Sequence, residues 1–199
     1  MSKAQIWKTP LLALVILAVV GIGGGAWLQQ RQAEDKNPYA GIGGNFTLSS
    51  AQGPISLSDF SGKVVMLFFG FTSCPDICPT DLARMNMVIK GLSPAESAKV
   101  AGLFVSVDPE RDSPQRASEY AQFFNRQITG LSGSVDEIAA VAKQYLVIYA
   151  KVEDPGSALG YTVDHSATTY LIDRDGVIRD RIQHDASADE MREAIRNLL

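Results

Sequence analysis

Two uninterrupted apolar runs, "KVVMLFFGF" (63–71) and "VAGLFVSVD" (100–108), restrict this chain more than any other feature. A strand with one face in water alternates apolar and polar residues, so β-rich runs without that alternation belong to strands covered on both faces. Between them, Pro79 suits the first position of a helix through "TDLARMNMVIKGL" (80–92), since its fixed φ is already helical. Ser93 and Glu96 then have capping-box spacing for a second, short helix. Strand, helix and strand in this order describe a βαβ unit inside a sheet with helices on its faces.

The flanking segments extend that unit. "FTLSSAQGPISLSDF" (46–60) reads as two short strands around a Gly53-Pro54 turn. Ser113 and Pro114 open a helix over "PQRASEYAQFFN", "ITGLS" is a short strand, and Ser134 to Glu137 caps "VDEIAAVAKQY". "LVIYAKVE" (146–153) reads as a strand and "DPGSALGYTVDH" (154–165) as a loop. "ATTYLID" and "GVIRDRIQ" flank Arg174-Asp175-Gly176, a hairpin signal, and Ser187 to Glu190 caps the last helix. A βαβ unit followed by ββα is the order of the thioredoxin fold. The expectation is therefore an α/β, thioredoxin-like three-layer fold with an N-terminal β extension and a helix–strand insertion.

A single transmembrane helix is expected to precede this fold. Thr9 to Gln30 carries no charge, and Pro10–Leu28 is nearly all apolar or glycine. Nineteen helical residues span about 28 Å, close to the roughly 30 Å of a hydrocarbon core. Lys3 and Lys8 ahead of it favour a cytoplasmic N-terminus. Small residues near Ala26 leave a cleaved signal peptide as the alternative. Residues 1–30 are thus an anchor or signal peptide, 31–45 a linker, and 46–199 the folded domain. Either reading delivers residues 31–199 to the far side of a membrane, and the expected location is the periplasmic side of the cytoplasmic (inner) membrane. Setting aside Lys3 and Lys8, 16 basic residues face 22 acidic ones with no basic cluster, which argues against nucleic acid as a partner.

The chain has two cysteines, Cys74 and Cys78, placed between the first buried strand and its helix. Chemistry in open α/β sheets gathers at such carboxyl ends of strands. Pro75 and Pro79 bias the cysteines away from helical geometry, and a helix N-terminus favours the thiolate. A structural disulfide here closes so small a loop that chain entropy gives only about 2 kcal/mol, against roughly 4.7 for a hundred-residue loop. A redox pair is the stronger alternative, in which Cys74 and Cys78 are the catalytic groups. Against it, thioredoxin-like oxidoreductases space the cysteines by two residues and carry a cis-proline before the penultimate strand. Here the spacing is three and "HSATTYLID" has no proline.

That stretch instead carries His165, one of two histidines, which the fold order brings beside the thiols. Cys74, Cys78 and His165 then form a three-ligand metal set. Structural zinc wants four protein ligands, whereas soft sulfur selects copper(I) and imidazole also serves copper(II). Asp164 is either a carboxylate orienting His165 or a surface acid. His184 reads as exposed, and Met85 and Met87, some 200° apart on a helix, as packing residues. "DPERDSP" (108–114) closes a strand and caps the next helix, with a partner-docking surface as the other reading.

Together "FFGFTSCPDICPTDL", "VSVDPERDSP" and "VDHSATTYLID" closely resemble the Sco (SenC-like) family of membrane-anchored copper-binding proteins. The likeness covers roughly residues 41–182, including "IGGNFTLSSAQGPISLSDFSGKVVML". It implies a thioredoxin-like fold with copper, Cu+ or Cu2+, held by Cys74, Cys78 and His165. It further implies a metallochaperone for the copper centre of cytochrome c oxidase, whose partners are the oxidase copper-site subunit or another copper protein, the inner membrane and a thiol reductant. The alternative is a membrane-anchored thiol-disulfide oxidoreductase acting on cysteines of a copper protein.

Overall fold

The computed structural model describes residues 37–157 and 159–199. The apolar leader Pro10–Leu28 and the start of the linker lie outside the described residues. Among the described residues, no helix is long and apolar enough to cross a membrane.

The two runs that open the sequence argument become β3 (Val64–Gly70) and β4 (Val100–Ser106), and every residue of both is buried. They pair in parallel, Val64 opposite Val100 through Gly70 opposite Ser106. Ahead of them, β1 (Thr47–Ser50) and β2 (Gly53–Ser56) form an antiparallel hairpin, and a 3₁₀ turn (Leu57–Phe60) leads into β3. Helices α1 (Ile77–Lys90) and α2 (Pro94–Ser97) connect β3 to β4. Next come α3 (Pro114–Phe124), β5 (Ile128–Leu131) and α4 (Val135–Gln144). The chain finishes with β6 (Tyr149–Glu153), β7 (Tyr161–His165), β8 (Thr168–Ile172), β9 (Ile178–Gln183) and α5 (Ala188–Arg196).

The main sheet runs β5-β4-β3-β8-β9, with β8 antiparallel to β3. Successive side chains of a strand leave opposite faces of a sheet, and β3 uses both. Phe68 stacks on Phe104, which meets Tyr120 of α3 on one face. Phe69 turns to the other face, against Tyr145 at the end of α4 and beside Tyr170. Helix α1 lies against α3 and α5 on the first face and α4 ends against the second, so helices cover the sheet on both sides as the three-layer expectation requires.

Two local expectations need correction. The stretch "LVIYAKVE" does not enter a strand at Leu146, because Leu146 takes a left-handed φ of 54° and ends α4 there. Its N–H bonds the carbonyl of Lys143 and that of Val147 bonds Ala142, the pairing of a Schellman motif, so the strand starts only at Tyr149. The segment read as a loop contains β7, which pairs antiparallel with β6 from Tyr161 opposite Glu153 to His165 opposite Tyr149. Among the described residues this two-stranded ribbon pairs with no other strand, and it carries His165 at its end.

Candidate metal centre

Three donor atoms converge where β3 ends. Cys74 Sγ, Cys78 Sγ and His165 Nε2 or Nδ1 all lie within 4.8 Å of one another. The cysteines come from the turn after β3 and the first turn of α1. The histidine comes from β7, just before β8, and the pairing of Phe68 with Thr169 brings that end of the chain alongside.

The start of α1 departs from expectation in a way that shapes the site. The helix begins at Ile77, two residues before Pro79, and its cap residue Asp76 makes no side-chain capping bond. Cys78 N–H instead donates to Cys74 Sγ at 3.4 Å. The first four N–H groups of a helix lack intrahelical partners, so Pro79 removes no bond and a thiolate fills the place of a capping oxygen.

The thiols are unlike each other. Cys78 is fully buried, whereas Cys74 is half-buried and lines an open cleft of about 370 Å³ with Phe71, Pro75, Asp76, Ile77 and His165. A hydrogen bond from the Cys78 thiol, aided by the backbone N–H groups of Cys78 and Asp76, holds Cys74 far below the ordinary thiol range, against the opposing effect of burial. Cys78 moves the other way, pushed up by that same bond, by burial and by the negative charge of Cys74. The resting pair is therefore one thiolate, facing the cleft, and one thiol behind it.

The imidazole is oriented from behind. His165 Nδ1 lies 3.2 Å from the carbonyl oxygen of Ser166, which can only accept, so Nδ1 carries the proton. Nε2 lies on the other side of the ring, 3.3 Å from Cys78 Sγ. The rings of Phe71 and Phe68 stand edge-on to the imidazole at 5.7 and 6.0 Å. Asp164 is exposed, and the orienting acceptor is the Ser166 carbonyl rather than that carboxylate. His184 is exposed and Met85 is buried, as their sequence positions suggest, whereas Met87, expected to pack, is 52% exposed because its side of α1 faces solvent. Two cysteine sulfurs and one imidazole nitrogen, open on one side, suit a soft cation.

Sequence reasoning passed over the groups that hold the cysteine turn. Asp112 is buried, and its carboxylate accepts from Thr72 N–H at 2.8 Å, Thr72 O–H at 2.5 Å and Ser106 O–H at 2.6 Å. Arg116 reaches Thr72 Oγ1 at 2.7 Å and Ser73 Oγ at 3.3 Å. The available signal was an acid placed just beyond the carboxyl end of a buried strand, facing the cysteine turn of its neighbour.

The SCO1/SenC family model matches residues 34–199. The chain is 37% identical to the mitochondrial protein SCO2 homolog of Bos taurus over 199 residues, covering 92% of this chain and 73% of the relative. A solved structure of Arabidopsis thaliana ScoI with copper bound superposes with a TM-score of 0.73 at 35% identity, over 78% of this chain and 96% of that one. The chain is also similar, at 28% identity and a TM-score of 0.59 over 78% of its length and 91% of the other, to BsSco, a member of the Sco family of cytochrome c oxidase assembly proteins in which a disulfide switch was identified.

Proposed function

The chain belongs to the SCO1/SenC family, and we propose on that premise that it is a copper metallochaperone serving assembly of the copper centre of cytochrome c oxidase. One observation carries the reading: two sulfurs and an imidazole nitrogen from separate elements converge within 4.8 Å, with Nε2 of the imidazole turned toward sulfur. Copper is the cargo. The Cys74 thiolate, at the cleft, meets the incoming ion first. Cys78 gives up its proton to solvent as the ion approaches, because the positive charge offsets the bond to Cys74 and the burial that keep the thiol neutral. His165 completes the set with Nε2. Release follows by exchange of these ligands, one at a time, for thiolates or imidazoles of the acceptor. The apolar leader Pro10–Leu28 anchors the domain on the periplasmic side of the inner membrane, and a thiol reductant keeps the pair open to metal.

The unequal thiols favour a second reading, a thiol-disulfide oxidoreductase. Cys74 thiolate attacks a target disulfide and displaces one target thiolate; Cys78, on deprotonation, displaces the other. The products are a target dithiol and a Cys74–Cys78 disulfide, which an external thiol reductant must reduce. Anaerobic titration of the reduced protein and of His165→Ala with copper(I) and copper(II) separates the two. The chaperone reading expects one copper per wild-type chain and loss of copper retention in the variant, whereas the oxidoreductase reading expects the variant to keep reduction of a test disulfide. Reduced wild-type protein that takes up no stoichiometric copper would end the chaperone reading.

A further inference from the structure

The segment Asp108–Asp112 has more buried charge than a turn needs. Asp108 and Asp112 are 4% and 1% exposed, and a buried carboxylate is costly unless hydrogen bonds compensate it. The turn into α3 is already capped by Ser113, whose hydroxyl accepts from Arg116 N–H at 3.2 Å. Neither carboxylate serves that cap. Asp112 turns to the cysteine side, taking both donors of Thr72, two residues before Cys74.

Asp108 turns to the histidine side. It accepts from Tyr161 O–H at 2.8 Å and from Arg111 Nε at 2.5 Å. Arg111 in turn donates to the Tyr161 carbonyl at 2.9 Å and lays its guanidinium 3.6 Å over the Tyr161 ring. Tyr161 opens β7, the strand that ends in His165. The two halves of the metal centre thus come from different sheets, and this one short segment bonds to both.

We propose that Asp108, Arg111 and Asp112 are positioning residues that fix the separation of the cysteine pair from His165, Asp112 acting through Thr72 and Asp108 with Arg111 acting through Tyr161. The proposal rests on the copper reading for its purpose, yet its geometry can be tested without metal. The variants are Thr72→Val and Asp112→Asn on one arm and Tyr161→Phe on the other, made in the full-length chain in mild detergent. Thr72→Val and Tyr161→Phe are isosteric, so the test survives if Asp112→Asn unfolds.

The bonds of Asp112 hold the turn in the geometry of the free thiols. Thr72→Val and Asp112→Asn are expected to shift the dithiol–disulfide equilibrium about tenfold toward the disulfide, or about 30 mV for a two-electron couple. Tyr161→Phe is expected to leave that equilibrium within about twofold. It instead moves the Nε2 resonance of His165 toward that of a free imidazole in the reduced, copper-free protein, and weakens copper(II) binding about tenfold. A merely structural role lowers stability in all three without dividing the readouts. The proposal fails if Thr72→Val leaves the equilibrium unchanged, if Tyr161→Phe leaves the His165 resonance in place, or if both arms move both readouts alike. Failure of the wild type to bind copper counts against the chaperone reading only, since the equilibrium and the resonance still decide this one.

Discussion

Gly70 ends β3 directly beneath the metal centre, and adding one methyl group there tests how firmly the site is built. A Cβ on Gly70 would sit 2.7 Å from Cys78 Sγ, 2.9 Å from Phe68 Cε1 and 3.2 Å from Phe104 Cε2. Non-bonded heavy atoms rest at about 3.5–4.0 Å, so the sulfur must retreat by about 1 Å or the strand must shift. Neither is easy. Cys78 is fully buried in the first turn of α1, and both rings belong to the core. Overpacking of this kind costs about 1–3 kcal/mol. A domain of this size loses roughly 2–4 °C per kcal/mol, so Gly70→Ala should melt about 2–12 °C below wild type. The displaced sulfur should also weaken copper(I) binding about tenfold, equivalent to about 1.4 kcal/mol. Thermal melts of the reduced, metal-free proteins and a competition titration for copper(I) measure both effects. Gly156→Ala is the control, since its nearest neighbour would lie 3.7 Å away. If Gly70→Ala melts with wild type and binds copper equally well, the floor of the site is not the rigid wall inferred from these distances.

Two further perturbations probe charge. Cys74, lowered from 9.0 to about 3, should be alkylated by iodoacetamide already at pH 5 while Cys78 stays protected, as peptide mapping would show. A depressed folded-state value adds stability that is complete above the ordinary thiol range and lost as pH falls toward 3, so the advantage of wild type over Cys74→Ser in urea melts should grow between pH 4 and pH 8. Arg84→Met should cost about 3–5 kcal/mol, because it strands the buried Asp81 carboxylate and removes the donor to the His184 and Ala186 carbonyls ahead of α5. Urea denaturation would measure that loss, and copper stoichiometry of the folded protein should not change.

The parts of the fold legible in the sequence are those with local causes. The unbroken apolar runs of β3 and β4 could be read because burial on both faces leaves no polar alternation. The helix starts at Ser93, Ser134 and Ser187 could be read because a capping box is closed within four residues, and each forms as spaced. The meeting of His165 with the cysteines followed from strand order alone. Other features depended on partners distant in sequence. Helix α1 starts early because a sulfur from Cys74 takes the place of a capping oxygen, which no propensity rule includes. β7 looked like loop because its "YTVDH" is polar and short, and only pairing with β6 makes it a strand. Asp112 signalled its role only by its place beyond the end of β4, and its partner could not be named because Thr72 lies 40 residues earlier.

The ribbon of β6 and β7 has a kinetic consequence. The cysteine turn hangs from β3, the middle strand of five, whereas His165 hangs from two strands that, among the described residues, have no third beside them. Isolated two-stranded hairpins are marginal in water, and regions with few ladder bonds open at a fraction of the global unfolding free energy. Backbone amides of Tyr149–Glu153 and Tyr161–His165 should therefore exchange with solvent deuterium well before those of Val64–Gly70. If the site delivers copper as proposed, the imidazole is then expected to be the ligand with the shorter residence time and the buried sulfur of Cys78 the last to let go.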